Sequence, residues 1–497
     1  MNTKVLHLSG IRRLKLHLKR CFYTSLNTDG KYLPRLVDAK GAVQCSSQCI
    51  ALSKIKFSFD AAFNTPTVVF AKRQLKTMKL ESLESLPIFT PELECLFKLF
   101  EKYGYELRIA GGAVRDILIC NDTVPTDMDF ATTATPCQMK EMFTKEQVRM
   151  LNKNGEAHGT ITARINDKVN YEITTLRIDV VTDGRRAKVE YTKDWELDAN
   201  RRDLTVNSMF LGYDGTVYDY FNGLDDLKNK RIRFVGSPEQ RIREDYLRIL
   251  RYFRFYGRLA PDPDNHEQVT LDAIRENAAG LANISGERIW VEIRKILCGR
   301  MTAHILKLMI ELGIGQYIGL QKASNFRELY LVCERTEDVS YHHMTRMTAL
   351  LDDEADVYKL HERNKLSNEE LAMALFIVKH RGDKMEDDLQ SYCIDLHTDS
   401  SGGDTKVTNK IVELMKYCGH HKMAEEFPSV KLPQLPVSGH DLTQNNVPRG
   451  PKFASTLNEL RKIWKDSRYT LSKEELIEKI PQVLENLPEN FKKKKKN

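Results

Sequence analysis

A strand that runs directly into two glycines is the feature that most constrains how this chain folds. Residues 107–110 have the apolar pattern of a short strand, Gly111 and Gly112 follow at once, and residues 113–120 favour a helix. Paired glycines let the backbone approach another backbone or a phosphate closely. The N–H groups that open the helix suit an anion, and Arg115 adds a two-pronged donor. Alone, the glycine pair fits a plain turn better.

Two aspartates that follow this unit, Asp127 and Asp129, favour catalysis instead. Side chains two residues apart on a strand point to one face, where two carboxylates repel unless a cation lies between them. Carboxylates and substrate phosphates are the usual surroundings of Mg²⁺, and two such ions can activate a 3′-hydroxyl and stabilise a pyrophosphate leaving group. Glu172, in the strand-like residues 170–174, is the candidate third carboxylate. The alternative is a surface turn.

A second polar cluster, formed by Arg202, Asp203 and Asn207, suits a nucleotide. Arg202 can clamp phosphates with two parallel hydrogen bonds. Asp203 can accept a hydrogen bond from a ribose hydroxyl, and Asn207 can donate or accept. The alternative is a capped helix start with solvated arginines.

The segment Glu244–Arg254 predicts one continuous amphipathic helix. At about 100° per residue its apolar side chains share one face, and the opposite face carries an aspartate followed by arginines one turn apart. These residues are Asp245, Arg248, Arg251 and Arg254. Neighbouring arginines repel one another without an anion, which a triphosphate or an RNA backbone would supply. The alternative is a helix whose arginines pair with nearby glutamates.

The pair Asp245 and Arg248 has a specific use in reading a base. Cytosine and adenine both offer an amino donor beside a ring-nitrogen acceptor, whereas uracil and guanine offer the reverse pattern. A carboxylate beside a guanidinium therefore matches C or A, and each buried polar group left unpaired costs about 1–3 kcal/mol. Two side chains could thus replace a nucleic-acid template.

Composition excludes several classes of protein. With 41% apolar and 29% charged residues, the chain is expected to build ordinary globular cores. No apolar run approaches the ~20 residues that a membrane span needs. The ten cysteines form no CxxC pairs, which favours free thiols in a reducing compartment over disulfides or a zinc site.

The net charge of +7 is concentrated at the two ends of the chain. Residues 1–28 contain six basic residues and no acid, interleaved with leucines, which is typical of a mitochondrial transit peptide; the alternative is a basic tail. Residues 29–84 form an N-terminal extension of open role. Met78 could start a shorter cytosolic or nuclear form. Lys492–Lys496 form a low-complexity tail. Because the remaining chain is net negative, a nucleic-acid partner must meet a local basic surface.

Taken in order, these motifs resemble those of the class II CCA-adding tRNA nucleotidyltransferases of the polymerase-beta-like superfamily, close to the animal mitochondrial and nuclear-cytosolic type. The similarity extends from about residue 85 to about residue 475. The matching segments are Gly111–Asp116, Asp127–Asp129, Arg201–Asn207, Asp219–Leu227, Glu244–Arg254 and Ile284–Trp290, with Val437–Leu442 resembling the family's tail signature.

The resemblance implies an α+β protein whose small mixed sheet lies in an N-terminal nucleotidyltransferase head, followed by an all-α neck, body and tail. The implied limits are a head over 85–225, a neck over 226–300, a body over 301–400, a tRNA-binding tail over 401–485 and a Lys-rich end over 486–497. Residues 182–199 match the flexible loop that the family links to the switch from CTP to ATP.

The resemblance also implies roles for matching residues. Asp127 and Asp129 would bind two Mg²⁺ ions, with Glu172 completing the catalytic carboxylates. Asp245 and Arg248 would select CTP and ATP. The remaining nucleotide contacts would come from Gly111, Gly112, Arg115, Arg202, Asp203, Asn207, Arg251 and Arg254.

The implied reaction is template-independent addition of CCA to the 3′ end of tRNA, with tRNA recognised through its acceptor and elbow region. The superfamily's poly(A) polymerases share the head and neck motifs, so they are the alternative enzyme. A catalytically inactive RNA-binding protein is the alternative of another class, and the presence of both aspartates argues against it.

Overall fold

The computed structural model describes residues 23–26, 32–35, 56–59, 66–69, 75–80, 88–119, 125, 128–151, 156, 158–181, 188–321, 325–382, 389–399 and 405–487. The chain divides into two compact units, Met1–Lys76 and Thr77–Asn497. Asp127, most of the predicted transit segment, loop residues 182–187 and the lysine run lie outside the described residues. No helix among the described residues is both long and apolar enough to cross a membrane.

Among its described residues, the first unit contains two antiparallel strand pairs. Strand β1 (Tyr23–Leu26) pairs with β2 (Tyr32–Arg35), and β3 (Lys56–Phe59) pairs with β4 (Pro66–Val69).

An eight-stranded sheet holds most strands that follow, in the order β5-β14-β13-β6-β7-β10-β9-β8. Within it β7 and β10 run parallel, whereas β6–β7, β9–β10, β8–β9, β6–β13 and β13–β14 are antiparallel. The remaining strands, β11 and β12, form a separate antiparallel hairpin. The bounds are β5 Lys76–Lys79, β6 Leu107–Ala110, β7 Asp129–Thr132, β8 Arg149–Leu151, β9 Thr160–Ile165, β10 Val169–Thr175, β11 Arg177–Val181, β12 Lys188–Tyr191, β13 Phe210–Leu211 and β14 Thr216–Asp219.

The strand predictions succeed where apolar and polar residues alternate. The alternation over 160–165 also predicts a strand, and both β6 and β9 have the predicted bounds. Strand β10 extends the predicted 170–174 by one residue at each end. The sequence pattern over 209–213 predicts one strand, but β13 ends at Leu211. The chain turns there: Gly215 has φ 84°, and the Gly212 N–H donates to the Thr216 carbonyl at 2.9 Å.

In the described part of the chain, four helices accompany these strands: α1 (Pro91–Lys102), α2 (Gly112–Ile119), α3 (Pro136–Lys145) and α4 (Trp195–Asn200). Thr90 caps α1 and Thr135 forms a capping box on α3, which satisfies N–H groups at each helix start. The sequence pattern over 91–103 predicts the first of these helices, and α1 ends one residue earlier, at Lys102. Apolar side chains from α1, α3 and the sheet, including Leu96, Phe100 and Phe143, form one buried core.

Elements after β14 are helical in the described part of the chain, which confirms the predicted α+β class. Their bounds are α5 Gly223–Lys228, α6 Pro238–Glu244, α7 Arg248–Leu259, α8 Gln268–Asn277, α9 Gly286–Leu297, α10 Thr302–Glu311, α11 Phe326–Arg335, α12 His343–Met347, α13 Glu354–Asn364, α14 Asn368–His380, α15 Leu389–Asp399, α16 Thr405–Cys418, α17 His421–Glu426, α18 Gly439–Gln444, α19 Pro451–Asp466, α20 Lys473–Glu478 and α21 Ile480–Asn486.

Two apolar clusters stabilise this helical part. One contains buried residues from Leu204 to Phe427, and a smaller one runs from Val437 to Val483 and includes the buried Trp464. The first cluster therefore reaches past residue 400, where the sequence places the limit between body and tail. The domain limits stay predictions.

Candidate active site

The glycine pair lets an arginine lie against the junction of β6 and α2. Gly111 has φ +69°, a left-handed conformation that favours glycine, and a Cβ there would lie 2.7 Å from Nη1 of Arg202. Gly112 opens α2, and a Cβ there would make only an ordinary contact with Arg115, at 3.6 Å. Gly111 thus brings the Arg202 guanidinium against the end of the strand.

Arg115 points inward from α2 and is 3% exposed. Its Nη2 donates to both carboxylate oxygens of Asp116 at 2.9 Å, and its Nη1 donates to Oδ1 of Asn207. The guanidinium also lies 4.7 Å from the ring centroid of Phe255. Burial lowers the pKa of Arg115, with the Asp116 charge acting in the opposite direction.

Asp203 connects Asn207 to α7. It is 7% exposed, accepts from Nδ2 of Asn207 at 3.4 Å, and accepts from Nε of Arg251 at 2.7 Å. Burial by itself would raise the pKa of Asp203, but the charge and hydrogen bond of Arg251 and the Leu204 N–H outweigh it and hold the pKa below its usual value. Asp203 is therefore an ionised hydrogen-bond acceptor at neutral pH.

Asp198 holds both arginines that precede Asp203. This 1% exposed residue of α4 accepts from Nε of Arg201 at 2.8 Å and from Nη2 of Arg202 at 3.1 Å. It also accepts from the backbone N–H of Arg177 at the start of β11, at 3.2 Å. Sequence reasoning missed Asp198, although an acid three and four residues before two arginines on a helix is a recognisable pairing signal.

The predicted continuous helix through Asp245 is wrong. Helix α6 ends at Glu244, Asp245 has extended backbone angles (φ −153°, ψ 108°), and α7 begins at Arg248. The Asp245 carboxylate accepts from the Leu247 N–H at 3.1 Å and from Nη2 of Arg288 at 2.9 Å. Local side-chain acceptors of this kind compete with helical hydrogen bonds, which accounts for the break. The apolar face is confirmed, since Ile249 and Phe253 are fully buried.

Each α7 arginine that the sequence analysis predicted to contact the nucleotide pairs with a carboxylate of the protein. Arg248 lies 2.7 Å from Glu244, Arg251 lies 2.7 Å from Asp203, and Arg254 lies 2.9 Å from Glu292. Only the first of these acids is on the same segment.

Arg248 also donates to two backbone carbonyls, those of Arg241 at 3.0 Å and Arg201 at 2.8 Å. These bonds and the Glu244 pair fix the plane of its guanidinium, which lines the same cleft as Asp245. Three of its five N–H groups are used, which leaves two for a ligand.

The two described carboxylates of the predicted metal site lie opposite each other. Asp129 opens β7, and its register partner on the parallel strand β10 is Glu172. Opposite residues point to one face of adjacent strands about 4.8 Å apart. Both are exposed. Among the described residues no group of three or more His, Cys, Asp or Glu side chains could hold a metal ion, and Asp127 lies outside that set.

One cleft of about 970 Å³ brings most predicted residues together. Its lining includes nine basic and five acidic side chains. The predicted residues among them are Gly111, Gly112, Arg115, Asp129, Arg202, Asp203, Asn207, Asp245, Arg248, Arg251 and Arg254. Glu172 is not part of this lining. Sequence reasoning missed Arg201 and Arg258, which lie beside predicted residues, and Lys295 and Arg300, whose segment only packing brings to the cleft.

A sheet with a glycine-rich turn, exposed carboxylates and an arginine-rich cleft defines the class of nucleotidyltransferases. Residues 107–233 match the family model described as "Poly A polymerase head domain". Residues 266–321 match a model described as "Probable RNA and SrmB- binding site of polymerase A".

Comparison with curated proteins narrows this class. The chain is 51% identical over 423 residues to "CCA tRNA nucleotidyltransferase 1, mitochondrial" of Danio rerio, covering 84% of this chain and 97% of that protein. It is 51% identical over 414 residues to the Homo sapiens protein of the same name, covering 82% and 94%. The chain belongs to the CCA tRNA nucleotidyltransferase family.

A solved structure supports the same fold. The crystal structure of a Bacillus stearothermophilus CCA-adding enzyme in complex with CTP has a TM-score of 0.61 to this chain. The two chains are 26% identical, and the match covers 79% of this chain and 98% of the other. This enzyme family is generally metal-dependent.

Proposed function

We propose that this chain adds C, C and A in turn to the 3′ end of tRNA, using CTP and ATP and releasing pyrophosphate, without a template. The observation that carries the proposal is the single cleft that joins Asp129, the turn at Gly111–Gly112 and the pair Asp245 and Arg248. A cleft that contains both a candidate metal-binding carboxylate and a base-reading pair fits a polymerase that selects its nucleotides without a template. The naming of the relatives favours CCA addition over poly(A) synthesis.

Two Mg²⁺ ions would bind Asp129 and Asp127, with Glu172 beside them as the third catalytic carboxylate. The fit rests on the exposed oxygens of Asp129 and Glu172 on adjacent strands, because Mg²⁺ prefers carboxylate oxygens together with substrate phosphates. When bound, the ions supply activation of the 3′-hydroxyl and neutralise charge on the departing pyrophosphate. The protein residues then have to hold the nucleotide and the RNA end in line.

Base selection falls to Asp245 and Arg248. Arg288 and the Leu247 N–H orient the Asp245 carboxylate, and Glu244 with two backbone carbonyls orients Arg248. Each carboxylate oxygen accepts more than one hydrogen bond, so Asp245 can still accept from the amino group of C or A. The free N–H groups of Arg248 can donate to the neighbouring ring nitrogen.

The nucleotide's sugar and phosphates would meet the network around Asp203. Gly111 and Gly112 lie at the start of α2, with Arg202 against Gly111, and the first N–H groups of a helix favour an anion. Arg115 donates a hydrogen bond to Asn207, and Asp203 accepts hydrogen bonds from both Asn207 and Arg251. Arg251 and Arg254 are paired before substrate arrives, so their positions do not depend on the ligand.

Recognition of tRNA would use the helical body and tail, which read shape and backbone across the acceptor and elbow region rather than base sequence. Binding is therefore expected to weaken as salt concentration rises.

The deciding experiment is incorporation on a tRNA transcript that lacks CCA, with Mg²⁺ and defined nucleotides. CTP alone should add two residues and stop, and CTP with ATP should add three and stop. A long tail from ATP alone would identify a poly(A) polymerase. No incorporation, with tRNA binding intact, would identify an RNA-binding protein.

The mitochondrion is the proposed compartment. The basic residues 1–28 and the mitochondrial names of the relatives support this. A second form starting at Met78 would remain in the cytosol or nucleus. Sequencing the N-termini of the protein purified from each compartment tests both statements, and a single mature N-terminus in all fractions would exclude the shorter form.

A further inference from the structure

The basic side chains of the cleft divide into paired and unpaired groups. Seven of the nine form ion pairs with carboxylates. The pairs are Arg115–Asp116, Arg258–Asp116, Arg201–Asp198, Arg202–Asp198, Arg248–Glu244, Arg251–Asp203 and Arg254–Glu292. Lys295 and Arg300 make no ion pair or side-chain hydrogen bond with any described residue, and both are exposed. Two uncompensated cations in one cleft indicate an anion that arrives from outside.

The segment that carries these two cations is held firmly. Lys295 lies in the last turn of α9, and Arg300 lies in the connection to α10. The Gly299 carbonyl between them accepts from Nη1 of the buried Arg346 at 3.0 Å. The Arg300 carbonyl packs so closely on α7 that a Cβ at Gly257 would lie 2.9 Å from it. The backbone that carries the two cations is therefore fixed by these contacts. This backbone segment is the edge of the cleft from which both side chains extend.

The length of helix α7 gives the distance between this edge and the base-reading pair, Asp245 and Arg248. Gly257 follows Arg248 by nine residues, and at about 1.5 Å per residue this is about 14 Å along the axis. A stacked strand advances about 3.4 Å per nucleotide, so about four nucleotides span the distance. One position is the incoming nucleotide, and the others fit the last nucleotides of an RNA strand.

We propose that Lys295 and Arg300 bind the phosphates of the RNA strand just upstream of its 3′-terminal nucleotide. This inference rests on the proposed function of the cleft. Phosphate contacts position a strand without reading its sequence, which suits an end whose last bases change with every addition. The incoming triphosphate is assigned to the paired arginines and the turn at Gly111, so the two anions have separate sites.

The first test compares steady-state kinetics of the full chain with the double variant Lys295→Gln/Arg300→Gln. The KM for tRNA lacking CCA should rise roughly tenfold, while kcat and the KM for CTP stay within about twofold. The slope of log affinity against log salt should fall by about 1.4, because each single-strand phosphate contact contributes about 0.7. The control is Lys228→Gln/Lys230→Gln, which removes two exposed lysines outside the cleft lining and should leave the KM for tRNA unchanged.

A second test locates the contact on the RNA. Neutral methylphosphonates replace the phosphates of the last three nucleotides in an acceptor-stem hairpin. The substitution should weaken binding to the wild-type chain, and it should weaken binding to the double variant much less. An equal loss with both proteins, or a variant whose KM rises for CTP rather than tRNA, would overturn the assignment. Failure of the proposed function is distinguishable, because the wild-type chain itself would then add no nucleotides.

Discussion

The Nε atom of Arg251 lies 2.7 Å from Oδ2 of Asp203, which ties helix α7 to the segment that carries Arg201 and Arg202. Asp203 is 7% exposed, and the second oxygen of its carboxylate accepts from the Leu204 N–H at 2.8 Å. The ion pair therefore joins two halves of the nucleotide site that are 48 residues apart in sequence.

Replacing this carboxylate should destabilise the protein in a pH-dependent manner. Asp203→Asn leaves the half-buried Arg251 without its charged partner, which costs roughly 2 kcal/mol, the range of a hydrogen bond to a charged group. Because the pKa of Asp203 is lowered in the folded state, its stabilisation is fully present above the unfolded value near about 4 and is lost as the pH falls through the folded pKa.

Urea unfolding of both proteins, followed by circular dichroism across a pH series, checks this. The difference in unfolding free energy should be constant from about pH 7 to pH 5 and shrink below about pH 4. A difference that stays constant down to the acid limit of the fold would contradict a charged role for Asp203.

Loss of a metal-binding carboxylate should stop catalysis and spare tRNA binding. Asp127→Ala and Asp129→Ala should each reduce turnover by roughly a thousandfold or more, because the proposed ions supply several kcal/mol of charge stabilisation. Incorporation assays and filter binding of tRNA measure the two effects. Glu141→Ala is the matched control, since it removes an exposed carboxylate from α3, away from the cleft lining. Near-normal turnover in either aspartate variant would exclude that residue as a ligand.

Base selection should depend on Asp245 and, more weakly, on its partner Arg288. Asp245→Ala should lower the preference for CTP over UTP by roughly tenfold, in line with about 1–3 kcal/mol per mismatched buried group. Arg288→Gln should shift the preference in the same direction by a smaller factor, because the carboxylate stays present but loses a 2.9 Å hydrogen bond.

Ratios of kcat/KM for the four nucleotides measure this preference. Glu239→Ala serves as the control, because this acid pairs with Arg243 and does not line the cleft. Variants that become slower yet keep the wild-type ratios would argue against base reading by Asp245.

The two glycines should respond differently to the same substitution. Gly111→Ala places a Cβ 2.7 Å from the Arg202 guanidinium in a backbone of φ +69°, which should cost about 1–2 kcal/mol and raise the KM for CTP. Gly112→Ala meets its nearest neighbour at 3.6 Å and should leave stability nearly unchanged. Thermal midpoints of the two variants make the comparison, and equal losses would mean that the Arg202 contact does not constrain Gly111.

Local structure could be predicted well from residue spacing alone. The bounds of β6 and β9, the helix after the glycine pair and the buried face of α7 all follow from alternation, helical period and turn residues within one segment. These features depend on neighbours a few residues away, so the sequence by itself determines them.

Contacts between distant segments were decided only by the tertiary structure. The register of β7 and β10 places Glu172 opposite Asp129, and packing gives Arg251 and Arg254 the acids Asp203 and Glu292. Arg288, 43 residues further along the chain, donates to the Asp245 carboxylate at the break between α6 and α7. Spacing cannot specify such pairs, because partners tens of residues apart meet only when buried apolar faces bring their elements together. For the same reason, only the folded chain distinguishes the paired arginines from the unpaired Lys295 and Arg300.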